Sequence, residues 1–133
     1  MTTVITFGTF DVFHIGHVNM LIRARALGDR LIVGVSTDRL NFAKKGRYPV
    51  YHQEHRMEIV RSLECVDAAF MERSLEAKRS YVTKYKADVL VMGDDWRGQF
   101  DDLADICTVR YLPRTADVST TEIIADIRLR DPE

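Results

Sequence analysis

Cysteine is scarce in this chain. Cys65 and Cys107 are the only two, and their spacing fits neither a metal-ligand nor a redox motif. That excludes a disulfide scaffold and leaves reduced, structural thiols of a cytoplasmic protein as the expectation. Excess charge of one sign is also missing. The 19 Lys and Arg against 20 Asp and Glu leave a net charge of −1, which argues against a general nucleic-acid binder. No apolar run approaches the roughly 20 residues that cross a membrane, and the N-terminus lacks the charged-then-apolar leader pattern. The cytoplasm is the expected location. No repeat, low-complexity tract or linker divides the chain, so residues 1–133 read as one domain with one hydrophobic core.

What is present is an ordinary globular composition, 46% hydrophobic and 29% charged. Apolar runs suited to buried strands alternate with helical spacing throughout. Val4-Ile5-Thr6-Phe7, Leu31-Ile32-Val33-Gly34-Val35, Ala68-Ala69-Phe70-Met71, Val89-Leu90-Val91-Met92 and Val109-Arg110-Tyr111-Leu112 read as strands. Helices are expected from about Gly16, over Met57–Leu63, over Glu76–Tyr85 and over Thr121–Leu129. The alternation predicts an α/β fold on a mainly parallel, five-stranded sheet. In such sheets ligands bind beyond the carboxyl ends of the strands, so the loops after Phe7, Val35, Met71, Met92 and Leu112 carry the functional expectation.

The first of these loops is the most informative. Thr6-Phe7-Gly8-Thr9-Phe10-Asp11-Val12-Phe13-His14-Ile15-Gly16-His17 takes a strand through a glycine-containing turn into a helix N-terminus. Unpaired backbone N–H groups and the positive end of the helix dipole there suit a phosphate. His14 and His17 fall on one face of the first turn and add imidazole N–H donors, with a charge as well if protonated. Such groups stabilise the negative charge that builds up in phosphoryl displacement. A capped helix with two incidental histidines is the plainer alternative. A metal pair lacks a third ligand nearby.

The stretch from Ser36 to about His52 reads as an unusually long loop with a dense basic patch, Lys44-Lys45-Gly46-Arg47, which Arg56 could join. After Met92, Gly93-Asp94-Asp95-Trp96 is a turn directly off a buried strand. After Leu112, Arg114 precedes Ser119 and Glu122, which fit the S/T-x-x-E capping box. An arginine ahead of a hydroxyl-rich helix start makes a second anion-ready helix end.

Gly8 through His17 resembles the signature of the nucleotidyltransferase superfamily that carries a His-x-Gly-His motif. Together with Gly93-Asp94-Asp95-Trp96 and Arg114-Thr115-Ala116-Asp117-Val118-Ser119-Thr120-Thr121, it resembles its cytidylyltransferase branch, and the small bacterial glycerol-3-phosphate members in particular. The likeness is collinear over nearly the whole chain. It implies a single Rossmann-like, doubly wound domain that transfers CMP from CTP to an alcohol phosphate, with sn-glycerol 3-phosphate the first candidate. CDP-glycerol and pyrophosphate would be the products, by direct in-line attack, as in teichoic acid precursor synthesis.

By the same resemblance His14, His17, Lys44 and Arg114 are the catalytic set. Thr9, Phe10, Ile15, Gly16, Asp95, Trp96, Thr115, Ser119, Thr120 and Thr121 join the histidines and Arg114 around the nucleotide. Lys44, Lys78 and Asp11 serve the acceptor, Mg²⁺ arrives on the CTP phosphates, and a homodimer pairs through the Met57–Leu63 helix. Two departures bear on the acceptor. The basic loop is one residue longer than the family pattern, so Lys45 or Arg47 takes the place of its second lysine. Glu64 stands where that pattern has an arginine before the Val66-Asp67 pair. Adenylyl or cytidylyl transfer to another acceptor, and a non-catalytic nucleotide-binding module, are the competing readings.

Overall fold

The computed structural model describes residues 1–116 and 118–130. Asp117, in the middle of the Arg114–Thr121 motif, lies outside the described residues. Five strands form one sheet: β1 (Thr3–Gly8), β2 (Arg30–Ser36), β3 (Ala68–Glu72), β4 (Val89–Gly93) and β5 (Thr108–Leu112), in the order β3-β2-β1-β4-β5. Every pairing is parallel, so all five carboxyl ends lie on one edge. The chain winds outward from β1 in both directions. The switch point therefore falls between β1 and β4, where the His-x-Gly-His turn emerges.

The strand runs are continuous because both faces are covered. On one face Val4, Leu31, Val33, Val35 and Val91 pack with Leu21 and Ala24 of α1 (Ile15–Arg25) and Val60 of α3 (Gln53–Arg61). On the other, Ile5, Phe7, Ile32, Leu90 and Met92 pack with Val82 of α4 (Lys78–Lys84) and with Leu103. Leu103 sits in a 3₁₀ segment, Asp101–Asp105, that carried no periodic signal in the sequence. Shorter by two residues at its start than expected, α4 begins only at Lys78. A second 3₁₀ turn, Asp94–Trp96, occupies the expected turn off β4.

One expectation is corrected outright. Ser36 to His52 is not an open loop, because α2 (Asp38–Lys45) lies inside it. Thr37 caps its start, its hydroxyl accepting from Leu40 N at 3.1 Å, and Asp38 sits in the first turn. Gly46 ends it at φ 73°, a left-handed position that glycine alone adopts without cost. Only Asn41 of this helix is buried, so apolar periodicity could not reveal it; the cap residues could have. The closing helix α5 (Thr120–Leu129) has no fully buried residue. Among the described residues no helix is long and apolar enough to cross a membrane, and both cysteines are free.

Candidate active site

At the start of α1, His14 is the N-cap. Its Nδ1 accepts from Gly16 N at 3.0 Å, and His17 Nδ1 accepts from His14 N at 3.2 Å. The two imidazoles thus close a reciprocal capping box. A side chain at Gly16 would disrupt it, since a Cβ there would lie 2.8 Å from His14 Cε1. This geometry changes the expected chemistry in two ways. First, the helix end does not offer bare N–H groups at Gly16 and His17: the former binds His14 Nδ1, and the latter binds His14 O at 3.0 Å. The plainer alternative of a capped helix is therefore true as well. Second, because both Nδ1 atoms accept, each ring carries its proton on Nε2 and is neutral.

Burial keeps them neutral. His17 lies between Phe13, stacked at 5.1 Å, and the edge of Phe10 at 5.5 Å, with His14 stacked on it at 3.8 Å. Desolvation first, then competition with the stacked His14 ring for a proton, pushes its pKa down to about 4; Asp11 pulls upward and the Arg114 guanidinium lowers it further. His14 is lowered too, by burial first and then by Arg114. The site thus presents two neutral Nε2–H donors and needs no imidazolium charge.

Positive charge comes from Arg114, and α1 brings it there. Asn19 Nδ2 donates to Thr115 Oγ1 at 3.1 Å, and Arg23 Nη1 donates to Pro113 O at 2.8 Å. These bonds lay the chain after β5 along α1. Thr120 Oγ1 then donates to Asp11 O at 2.7 Å, which fixes the start of α5 on the β1–α1 turn. Ser119 caps α5 as expected, accepting from Glu122 N at 3.1 Å. The two helix ends read separately in the sequence therefore meet. Asp95 lies 3.5 Å from Arg114 and joins the end of β4 to the same place. Ile15 and Thr121, in the first turns of α1 and α5, are exposed. Trp96 packs on Phe100 at 5.6 Å as a half-buried rim anchor.

A second cluster lies along the same sheet edge. Lys44 Nζ is 3.4 Å from Ser36 Oγ, and Ser36 Oγ donates to Glu72 Oε1 at 3.0 Å. The other oxygen of Glu72 receives Lys78 Nζ at 2.5 Å. One carboxylate faces two ammonium groups, which leaves one positive charge. Desolvation lowers the Lys44 pKa, with Glu72 pulling the other way. Lys78 is 4% exposed, with Phe7 and Phe100 rings at 4.5 and 5.2 Å, so it is no free surface lysine. It does line a 290 Å³ cavity with Leu75, Gln99 and Phe100. Lys45 and Arg47 are both exposed.

Two sequence expectations shift here. Arg56 does not join the basic patch: it is fully buried, and its guanidinium is engaged by Asp38 at 2.7 Å and by three backbone carbonyls. Asp11 is not available as a direct acceptor ligand. Its carboxylate accepts from Val50 N at 2.7 Å and Tyr51 N at 2.9 Å, and also from Val12 N. Asp67 accepts from Leu31 N at 2.8 Å and pairs with Arg25 at 3.3 Å, so its charge is engaged within the chain. Sequence reasoning missed Asn41, whose Oδ1 is 3.0 Å from Thr9 Oγ1, and Glu72. Asn41 lies in the polar stretch before the basic patch and Glu72 closes the Ala68–Met71 run, so neither stood in a recognisable motif. Among the described residues no three His, Cys, Asp or Glu side chains form a metal cluster.

This geometry agrees with the chain's likenesses. The sequence model described as cytidylyltransferase-like matches residues 5–126. The glycerol-3-phosphate cytidylyltransferase of Bacillus subtilis is 47% identical, over 96% of this chain and 98% of its own length. The enzyme of the same name from Staphylococcus aureus is 44% identical, over 98% of each. Among solved structures, a lipopolysaccharide core biosynthesis protein from Thermoplasma volcanium superposes with a TM-score of 0.73 at 26% identity, covering 86% of this chain and 97% of that one. Paired imidazoles capping α1, an arginine delivered from before α5 and a match along nearly the full length lead to one statement: this chain belongs to the cytidylyltransferase-like family.

Proposed function

We propose that this protein transfers CMP from CTP to an alcohol phosphate, with sn-glycerol 3-phosphate the first candidate, releasing pyrophosphate. The acceptor follows the names of the relatives at 44–47% identity. The observation that carries the chemistry is the convergence of His14, His17 and Arg114 on one spot at the switch point. In this reading an oxygen of the acceptor phosphate attacks the α-phosphorus in line. The bond from that phosphorus to the bridging oxygen breaks, and its electrons leave with pyrophosphate. Negative charge grows on the non-bridging and leaving oxygens. The two Nε2–H donors and the Arg114 guanidinium meet it without reorganising, which is where fixed donors are most effective.

Thr9, Phe10, Ile15, Gly16, Asp95, Trp96, Thr115 and Ser119–Thr121 frame the nucleotide, while Lys44, with the net charge of the Glu72 cluster, receives the acceptor phosphate. Lys78 contributes from the cavity side. Mg²⁺ would enter on the triphosphate, held by phosphate oxygens and water rather than by a protein cage, and would neutralise the leaving pyrophosphate. A homodimer pairing through α3 belongs to the same reading.

Pyrophosphate release measured with each nucleoside triphosphate and a panel of alcohol phosphates tests it. CTP with glycerol 3-phosphate should be fastest. Equal turnover with ATP would overturn the nucleotide assignment, and a faster alternative alcohol phosphate the acceptor assignment.

A further inference from the structure

Arg56 is the largest fully buried side chain among the described residues, at 0% exposed, and it touches three stretches of the site, at Thr9, Ser36–Asp38 and Tyr51. Its Nη1 donates to Thr9 O at 2.7 Å, in the β1–α1 turn, and to Ser36 O at 2.8 Å, at the end of β2. Nη2 donates to Asp38 Oδ1 at 2.7 Å, at the start of α2, and Nε to Tyr51 O at 3.0 Å, in the α2–α3 connection. Asp38 neutralises the buried charge, and the three carbonyl bonds satisfy the remaining N–H donors while they tie the segments to one another in the fixed planar geometry of the guanidinium, which an ammonium lacks.

We propose that Arg56 is a positioning residue for the transfer reaction, holding Lys44 in register with the His14–His17 turn. The proposal rests on the cytidylyl-transfer reading. Two further contacts support it. Arg56 and Lys44 hold the same residue, Arg56 by the Ser36 carbonyl and Lys44 by the Ser36 hydroxyl. Tyr51 is gripped on both sides, its N–H by Asp11 at 2.9 Å and its carbonyl by Arg56. Asp11 itself sits between Phe10 at φ 56° and Val12 at φ 47°. Left-handed backbone at non-glycine residues persists only where surrounding bonds impose it. The Asp11 carbonyl receives Thr120 from α5, so the same node also reaches the nucleotide side.

The test compares wild type with Arg56→Lys, which keeps the charge and loses the fork. CTP affinity is measured by titration, and kcat and KM for the acceptor by pyrophosphate release, with rates scaled to the CTP-binding fraction. A displacement of about 1 Å between reacting groups costs on the order of 10²-fold. A loss of that order in acceptor kcat/KM is expected, with CTP affinity near that of wild type. A purely structural arginine would lower the melting temperature and leave both kinetic constants of the folded fraction unchanged, and that result would overturn the proposal. Should Arg56→Lys fail to fold, Asp11→Asn releases the opposite side of Tyr51 without stranding a buried charge. A raised acceptor KM there supports the proposal, and an unchanged one defeats it. A wild type that releases no pyrophosphate from CTP with any alcohol phosphate would overturn the functional reading as well, so the two failures are distinct.

Discussion

His17 shows how one residue serves two purposes. Its Nδ1 completes the cap of α1 while its Nε2 remains a donor, and the aromatic shell of Phe10 and Phe13 keeps the ring neutral. Its pKa of about 4 lies below the ordinary 6.5. Between these values the unfolded chain binds a proton that the folded chain refuses, so stability rises with pH across that window. The contribution is complete above 6.5 and is lost as pH falls toward 4. Denaturant melts between pH 4 and 7 should show this slope, and His17→Gln should flatten it. In the ligand-free protein the His17 ring resonances should titrate near pH 4; a midpoint near 6.5 would mean that the ring is not enclosed. His14→Ala and His17→Ala should each lower kcat by about 10²–10³-fold, with a smaller effect on CTP binding. An unchanged kcat would reduce that histidine to a cap.

At the scale of elements, α2 is the informative case. It is built from capping chemistry, with Thr37 at one end and Gly46 at the other, and it carries Lys44 to the Glu72 cluster. Gly46→Ala places a Cβ at φ 73° and should cost about 1 kcal/mol. A Cβ there meets nothing within 4 Å, so the cost comes from the backbone alone, and thermal melts should show it without loss of the fold. Lys44→Ala should raise the acceptor KM while CTP affinity stays near normal, because the lysine stands apart from the two helix ends that face the nucleotide. Loss of CTP binding in a titration of that variant would reassign Lys44 to the nucleotide.

At the scale of the whole molecule, the dimer proposed above makes a prediction about self-association. Helix α3 exposes Glu54, Glu58 and Arg61, and Glu64 follows it at the surface. A two-fold interface there would repeat each of these charges. Light scattering at micromolar concentration should report a dimer, and Glu64→Arg should shift the monomer–dimer balance while leaving the fold intact. A fully active wild-type monomer would exclude pairing.

The sequence by itself determined the five strands, their parallel class and the two helix starts, because each rests on local pattern. A short, β-branched apolar run between turn signals, such as Leu31–Val35, suits a strand covered on both faces. Ser119 and Glu122 announce α5 through cap spacing, and the glycine turn with the apolar spacing after Gly16 announces α1. What the sequence could not settle depends on groups far apart along the chain. Arg56 read as one more cation beside Lys44, and only the carbonyls of Thr9, Ser36 and Tyr51 turn it inward. Asp11 read as a ligand until the Val50 and Tyr51 amides occupied it. Neutral histidines, a buried Lys78 and the meeting of α1 with α5 share that origin. Charge state and availability follow from what surrounds a side chain, and in a parallel sheet the surroundings come from other strands' loops, which only the tertiary structure brings together.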